Sequence, residues 1–313
     1  MRKLTNLVLM MLFAISTLHA QKTDLSLKLK EGESYSQITE STVNIVQDMN
    51  GQKMNMTMIV SGSMTFKVKS ISKEGFLMDA EYDSLAMTMK MPQGAMSYSS
   101  EKEGEVDLLS GVFAAMTHKP FEVLMAKTGK VKEVRNIESL WEDAIGQFEG
   151  LPEAQKEQII SQVSKSYGAD ALKGNLEMVT AIYPDKSVKE GESWTIETKL
   201  EAGMSANVTT EYTFAGVTSS YANIKGEATI VSVDSDEYIE SNGMQVKNQM
   251  SGTMTSDIQV DLESGWIKEA SVNQDLKGNT IIKENPQMPN GMTIPMTMSS
   301  EMVIRDQQVI MIK

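Results

Sequence analysis

The sequence predicts a mainly β protein of the α+β type: long, curved antiparallel sheets built from two duplicated halves, with a short helical insert between them. Three observations carry this. Lys30-Glu31-Gly32-Glu33-Ser34-Tyr35 returns 159 residues later as Lys189-Glu190-Gly191-Glu192-Ser193-Trp194. A second echo sets Phe121–Glu133 against Ile258–Glu269, with Gly129 matching Gly265. Most of the chain alternates apolar and polar residues, the period of a half-buried strand, and changes to helical spacing only in the middle.

Residues 1–20 have the three parts of a secretory signal: Arg2 and Lys3, an apolar run from Leu7 to Ile15, and small Ala20 before a cut ahead of Gln21. That apolar run is shorter than the ~20 residues a spanning helix needs, so cleavage and export are expected, to the periplasm or the exterior. No cysteine lies near the cut, so no acylated lipoprotein is expected. The mature chain is not expected to span the membrane.

Residues 21–135 form the first β-rich half. Leu25, Leu27 and Leu29 alternate with Ser26 and Lys28 as in a strand. A strand from Tyr35 leads to Asn50-Gly51, a strong short hairpin signal. The next run places Met54, Met56, Met58, Val60, Met64, Phe66 and Val68 on one face and mostly polar residues on the other. Its return strand, Phe76 to Met91, ends on Met87, Met89 and Met91. Pro92-Gln93-Gly94 breaks it, Met96-Ser97-Tyr98 resumes, a short strand surrounds Val106, and 112–118 fits strand or helix. A hairpin turns at Thr128-Gly129.

Residues 136–183 form the helical connector. Ile137, Leu140, Trp141, Ile145 and Phe148 sit at helical spacing behind a cap at Asn136. A second helix starts at Leu151-Pro152-Glu153, with an inner stripe of Ile159, Ile160, Val163 and Tyr167. A third, capped by Asp170, ends before Pro184. Residues 184–313 form the second β-rich half, with turns at Asn242-Gly243, Ser264-Gly265, Gly278-Asn279 and Asn290-Gly291 and a last strand carrying Met296 and Met298.

The chain has no cysteine, so a hydrophobic core rather than disulfides must hold it. Net charge is −13 at pH 7; loss of the signal, with two positive and no negative charges, takes it to −15. Such an acidic balance argues against nucleic acid and anionic membrane surfaces as partners.

Methionine is the compositional anomaly, at 26 of 313 residues. Thioethers projecting to one side of a strand at Met54, Met56 and Met58, at Met87, Met89 and Met91, and at Met296 and Met298 suit a soft cation such as Cu(I). They share the face with Val, Phe and Ile, however, and His118 alone remains outside the signal, so the simpler reading is the apolar side of a sheet. Flexible, polarizable methionines also suit a lining for varied apolar ligands. The candidate ligand-binding residues are therefore Met54, Met56, Met58, Met64, Phe66, Met87, Met89, Met91, Met296 and Met298. No metal site and no cofactor is expected. A filled core would leave no room for a ligand, and periodicity alone does not separate the two.

Catalysis finds no support. A nucleophilic triad would have to use His118, beside Lys119-Pro120, and no Gly-x-Ser-x-Gly elbow, phosphate loop or His-Glu-x-x-His is present. Asp234-Ser235-Asp236-Glu237 opens like a calcium loop, but Tyr238 and Ile239 replace the ligand and glycine it requires. In the repeated box, Gly supplies a turn, the acids stay solvated, and Tyr35 or Trp194 anchors the strand. An outer-membrane barrel also alternates, but aromatics are only 6%, with no girdle pattern, and the central helices do not thread into a barrel wall.

The Lys-Glu-Gly-Glu-Ser-Tyr strand, the Lys127-Thr128-Gly129-Lys130-Val131-Lys132-Glu133-Val134 hairpin, and the re-entry from Tyr183-Pro184 to Trp194 together resemble an uncharacterised family of exported β-rich proteins of Gram-negative bacteria, a domain of unknown function. The resemblance spans nearly the whole mature chain and implies no activity and no catalytic residues. In architecture alone the chain is similar to periplasmic lipoprotein carriers, whose curved sheet and helical lid hold acyl chains; this is analogy of fold. The expected function is non-catalytic binding of a lipid or other apolar small molecule in a Met-lined groove. The alternative is a structural or interaction protein of the cell envelope, with an envelope protein as partner, and a thioether Cu(I) site is the third reading.

Overall fold

The computed structural model describes residues 22–49, 51–104, 107–148, 152–157, 160, 168–201, 205–233, 238–241, 244–286 and 288–307. The predicted signal, the strand around Val106, the calcium-like stretch 234–237, the turn at Asn242-Gly243, and Ile159, Val163 and Tyr167 of the second helix lie outside them.

The first half contributes β1 (Ser34–Met49), β2 (Gln52–Ser72), β3 (Gly75–Met91), β4 (Gly94–Ser99), α1 (Leu108–Met116), β5 (Phe121–Met125) and β6 (Val131–Arg135). The connector holds α2 (Ile137–Gly146), a helical turn at 153–157 and α3 (Ala169–Thr180). The second half contributes β7 (Ser193–Glu201), β8 (Ser205–Thr218), β9 (Tyr221–Ser232), β10 (Ile239–Ser241), β11 (Met244–Asp261), β12 (Ile267–Ile282) and β13 (Met292–Asp306). All the strands join one antiparallel sheet in the order β6-β5-β3-β2-β1-β13-β12-β11-β9-β8-β7, with β4 beside β3 and β10 beside β11.

Each half is therefore a meander, β1-β2-β3-β5-β6 and β7-β8-β9-β11-β12, and β13 joins β12 to β1. The other ends, β6 and β7, both pack against α3. The sheet thus curls until its two edges face the same helix. Edge strands expose unpaired backbone groups, and α3 meets one on β6, where Glu177 accepts from the Val131 amide, and one in the turn before it, where Thr180 Oγ1 donates to the Gly129 carbonyl at 2.7 Å. On the β7 side, Trp194 Nε1 donates to the Ile182 carbonyl at 3.0 Å.

The two boxes fold alike. The Gly32 amide donates to Val68 O at 2.9 Å and Gly191 to Phe214 O at 2.8 Å; Val68 and Phe214 each return a bond, at 3.0 Å, to Glu33 and Glu192. Both glycines are left-handed (φ 83° and 82°), as such turns require. Tyr35 pairs across the ladder with Phe66, and Trp194 with Tyr212. The box acids are exposed, as expected, but two also hold the turn: Glu33 accepts from the Tyr35 hydroxyl at 2.9 Å, and Glu192 from the Lys189 amide at 2.9 Å.

The main core lies between the inner face of the sheet and the helices, around Phe66, Phe76, Phe121, Phe214, Ile137 and Ile145. The stretch Leu25–Leu29 corrects a strand expectation. Its three leucines are buried, but the segment crosses the turns instead of joining the ladder: Leu27 N donates to Lys127 O at 2.9 Å and Lys28 N to Ser264 O at 2.7 Å. Alternating burial needs one covered side, not strand partners.

Other expectations also change. The ambiguous 112–118 stretch is mostly helix, because Asp107 caps α1 by accepting from Ser110 N at 2.9 Å. Asn136 precedes α2 in the left-handed region and makes no side-chain cap bond. Gly168, not Asp170, takes the cap position of α3, whose Ala169 amide donates to Glu138 Oε1 at 3.2 Å. Gly278 is no turn but lies inside β12, where a Cβ would stand 1.9 Å from Gln249 O.

Candidate functional site

On β2 the even-numbered residues share the face of Phe66 and Val68, so the methionines of this strand lie on the core side of the sheet. Antiparallel register sets them in lateral rows. One row runs Met56–Ile45–Met298–Leu276–Gly252–Ile230–Val208 from β2 through β1, β13, β12, β11 and β9 to β8. Above it, Met54 faces Gln47, which faces Met296, which faces Gly278 and then Met250. Below it, Met96 pairs with Met89, Met89 with Met58, and Met58 with Val43. Met87 lies opposite Val60 and Tyr98, and Met91 opposite Gly94. None of the residues in these rows is charged.

The band changes character along its length. At the β8 end, Val208, Ile230, Met250, Met254 and Leu276 form a second buried cluster, with Met178 of α3 packed over it. Thr198 Oγ1 donates to Met178 Sδ at 3.6 Å and fixes that cover in place. Met296 and Met298 pack against the edge of this cluster and are half-buried. Beyond them, Met54, Met56, Met58, Met87, Met89 and Met91 are half-buried too but belong to neither hydrophobic cluster. The band ends at the rim on Met96, 41% exposed, and Val60, 36% exposed. The opposite face of the same strands is polar, with Thr57 Oγ1 donating to Asn44 Oδ1 at 2.9 Å.

Two of the ten candidate residues lie elsewhere. Phe66 is 1% exposed and meets Trp266 edge-on at 5.6 Å, so it is core and offers no surface. Met64 packs against the same core. The remaining eight come together across β3, β2 and β13. Residue periodicity missed the members contributed by other elements: Val43 and Ile45 between the methionine rows, Leu276 and Met250 under the helix, and Met178 on the helix itself. Met96, at the same alternate spacing as Met87–Met91, was the one legible addition.

Two open clefts, of about 1060 and 710 Å³, flank β7, the larger against α3 and the smaller against the segment from Ala181 to Val188, with Lys130 in both walls; no methionine lines either, and of the rows only Val208 reaches the larger. Glu177 lies in the larger one. Burial pushes its carboxyl above the ordinary value, against the opposing pull of Lys173, Lys130 and the Val131 amide. Nearer the base, burial also raises the Tyr183 hydroxyl, which donates to the Gly265 carbonyl. Among the described residues no helix is long and apolar enough to cross a membrane.

Fold and surface thus define a β-rich protein of one curled antiparallel sheet, with an uncharged, methionine-lined band only partly covered by a helix. The chain belongs to DUF6263, a family of unknown function whose model matches residues 73–267. No curated protein matches it. Among solved structures it is similar to lipovitellin, in a structure on lipid–protein interactions, with a TM-score of 0.51 and 8% identity over 90% of this chain; it spans 26% of that chain. An outer-membrane channel from Pseudomonas putida F1 aligns at a TM-score of 0.26, with 9% identity over 90% of this chain and 97% of that one. OccK7 (OpdD) of Pseudomonas aeruginosa aligns at 0.21, with 6% identity over 89% and 100%.

Proposed function

We propose that this protein is a non-catalytic binder of a lipid or other apolar small molecule, exported to the periplasm or the exterior, that holds its ligand against the uncovered part of the methionine band. One observation carries this reading. A single lateral row is buried at Leu276, Ile230 and Val208, on whose cluster Met178 of α3 packs, and half-exposed at Met298, Ile45 and Met56, the last two of which belong to neither hydrophobic cluster. Contiguous exposed apolar surface on a folded protein marks a binding region. The lining is uncharged and made of flexible thioether side chains, which adapt to acyl chains of different shape. The fold shared with lipovitellin, a protein described for its lipid interactions, adds support at the level of architecture. Export rests on residues 1–20, and the absence of catalysis on a mature chain with no cysteine and one histidine.

An envelope protein is the second reading, favoured by the rim, where Met96 and Val60 stand more exposed than a lipid-filled groove requires. The test is to purify the mature chain without detergent, extract it with organic solvent and analyse the extract by mass spectrometry. The expected result is an apolar ligand near one equivalent, lost in a Met56→Lys, Met89→Lys variant that keeps its β circular dichroism. A ligand-free wild type that also takes up no palmitate overturns the reading and leaves the protein partner.

A further inference from the structure

On the outer face of β3, far from the methionine band in chemistry, stand Glu81 and Asp83. Asp83 is the extra residue where the β2–β3 register shifts, since Ser63 faces Ser84 and Met64 faces Tyr82. The loop after α1 brings His118 to the same place. The His118 amide donates to Tyr82 O at 2.8 Å, and Thr117 bridges Tyr82. That main-chain bond is made to the residue between the two acids, so the imidazole is tethered opposite both carboxylates. Tyr82 itself turns inward and packs on the core beside Phe121, with ring centroids 5.8 Å apart. One imidazole nitrogen and one oxygen from each carboxylate all lie within 4.8 Å of one another.

We propose that Glu81, Asp83 and His118 bind a divalent first-row cation of the zinc class. His118, the single histidine outside residues 1–20, stands within 4.8 Å of both carboxylates. Two acids this close repel unless a cation joins them, yet among the described residues neither Glu81 nor the His118 ring has a hydrogen bond or ion pair of its own. Asp83 is held from behind: Thr65 Oγ1 donates to its Oδ2 at 2.9 Å and is bonded in turn to Ser36 Oγ at 2.8 Å. Such support orients a ligating carboxylate. Two hard oxygens with one imidazole suit zinc or a neighbouring divalent ion better than calcium, which takes oxygen alone, or Cu(I), which takes thioethers. Ligand bonds of about 2.0–2.2 Å require the three donors to close in from separations of up to 4.8 Å, a movement the exposed His118 side chain permits, and a three-ligand set leaves a fourth position to water.

The test is calorimetric titration of Zn²⁺ into the full mature chain after treatment with a chelator. One saturable equivalent is expected. His118→Gly removes the imidazole while suiting the left-handed backbone at this position (φ 58°). It should weaken binding by at least about tenfold with an unchanged metal-free melting temperature, as should Asp83→Asn. Met56→Leu should leave binding as it is. No saturable uptake, or an affinity that His118→Gly and Asp83→Asn both leave unchanged, means an adventitious ion only and overturns the site.

Discussion

The two copies of the repeated unit share a base and part company at the far end. At the base Gly32 and Gly191 make the same main-chain bonds, Tyr35 and Trp194 take matching ladder positions, and Gly129 and Gly265 both turn the chain at positive φ, the first bonding back three residues to Ala126 and the second four to Asp261. Each of those turns is crossed closely by other backbone, Thr180 at Gly129 and Ser26 at Gly265. At the far end the second copy is regular. Along β8 every inward residue from Ala206 to Gly216 is buried, while its outward neighbours are mostly exposed, and α3 adds Met178 to the inner cluster. In the first copy β1 and β2 run to 16 and 21 residues, against 9 and 14 for β7 and β8, and the added length carries Met54, Met56 and Met58. An apolar face that is core in one copy is surface in the other. Lengthening a strand past its helical cover turns a core face into a surface face without new chemistry, and this is the surface the proposed ligand would use.

The strongest way to break this comparison is at the shared base. A Cβ at Gly129 would lie 1.6 Å from Thr180 O, and one at Gly265 2.1 Å from Ser26 O, both at positive φ. Gly129→Ala and Gly265→Ala should each lose roughly 3 kcal/mol or more in urea unfolding. A large loss at one and none at the other would deny that the turns are equivalent. Next comes the far end, where Ile230 and Met56 occupy one lateral row. Ile230→Ala, in a fully buried position, should cost about 2–5 kcal/mol. Met56→Ala in ligand-free protein should cost about 1 kcal/mol or less, since half the side chain already meets water. Equal costs would mean that the band is core throughout.

The smallest effect concerns the cover itself. Burial raises the Glu177 carboxyl above its ordinary 4.5, so the folded state holds its proton more tightly than the unfolded one. The sign follows: stability at α3 falls as pH rises from the unfolded value through the raised folded one, and is level above it. Amide exchange along α3 should quicken over that interval beyond the intrinsic base-catalysed change, and Glu177→Gln should flatten the excess. Amides of β13, bonded on both sides to β1 and β12, should show none.

Much of this was legible in the residues. The alternation of Met54–Phe66, the Gly51 hairpin and the repeated boxes give local structure directly, because strand period and turn chemistry act over a few positions. Neighbourhood across the sheet was not legible. Nothing near β1 announces that its free side meets β13, some 250 residues on, and so Met298 and Leu276 could not be joined to Ile45 and Met56. Phe66 shares the methionine period but falls where Trp266 closes over it, a tertiary fact. Gly278 reads as a turn by composition, whereas its lack of a side chain serves a close approach to β11. The trio of Glu81, Asp83 and His118 likewise needed the β3 bulge and the loop after α1 to meet.

Methionine itself reports most directly on whether the uncovered face is where a ligand sits, since solvent-exposed thioethers oxidise to sulfoxides and enclosed ones do not. Mild peroxide treatment of the delipidated chain, read by peptide mass spectrometry, should oxidise Met54, Met56, Met58, Met87, Met89 and Met91 ahead of the buried Met250 and Met254, and reloading with palmitate should protect the first six alone. Oxidation of the six at the slow rate of Met250 in the delipidated chain, or at the same rate with and without palmitate, would contradict the account.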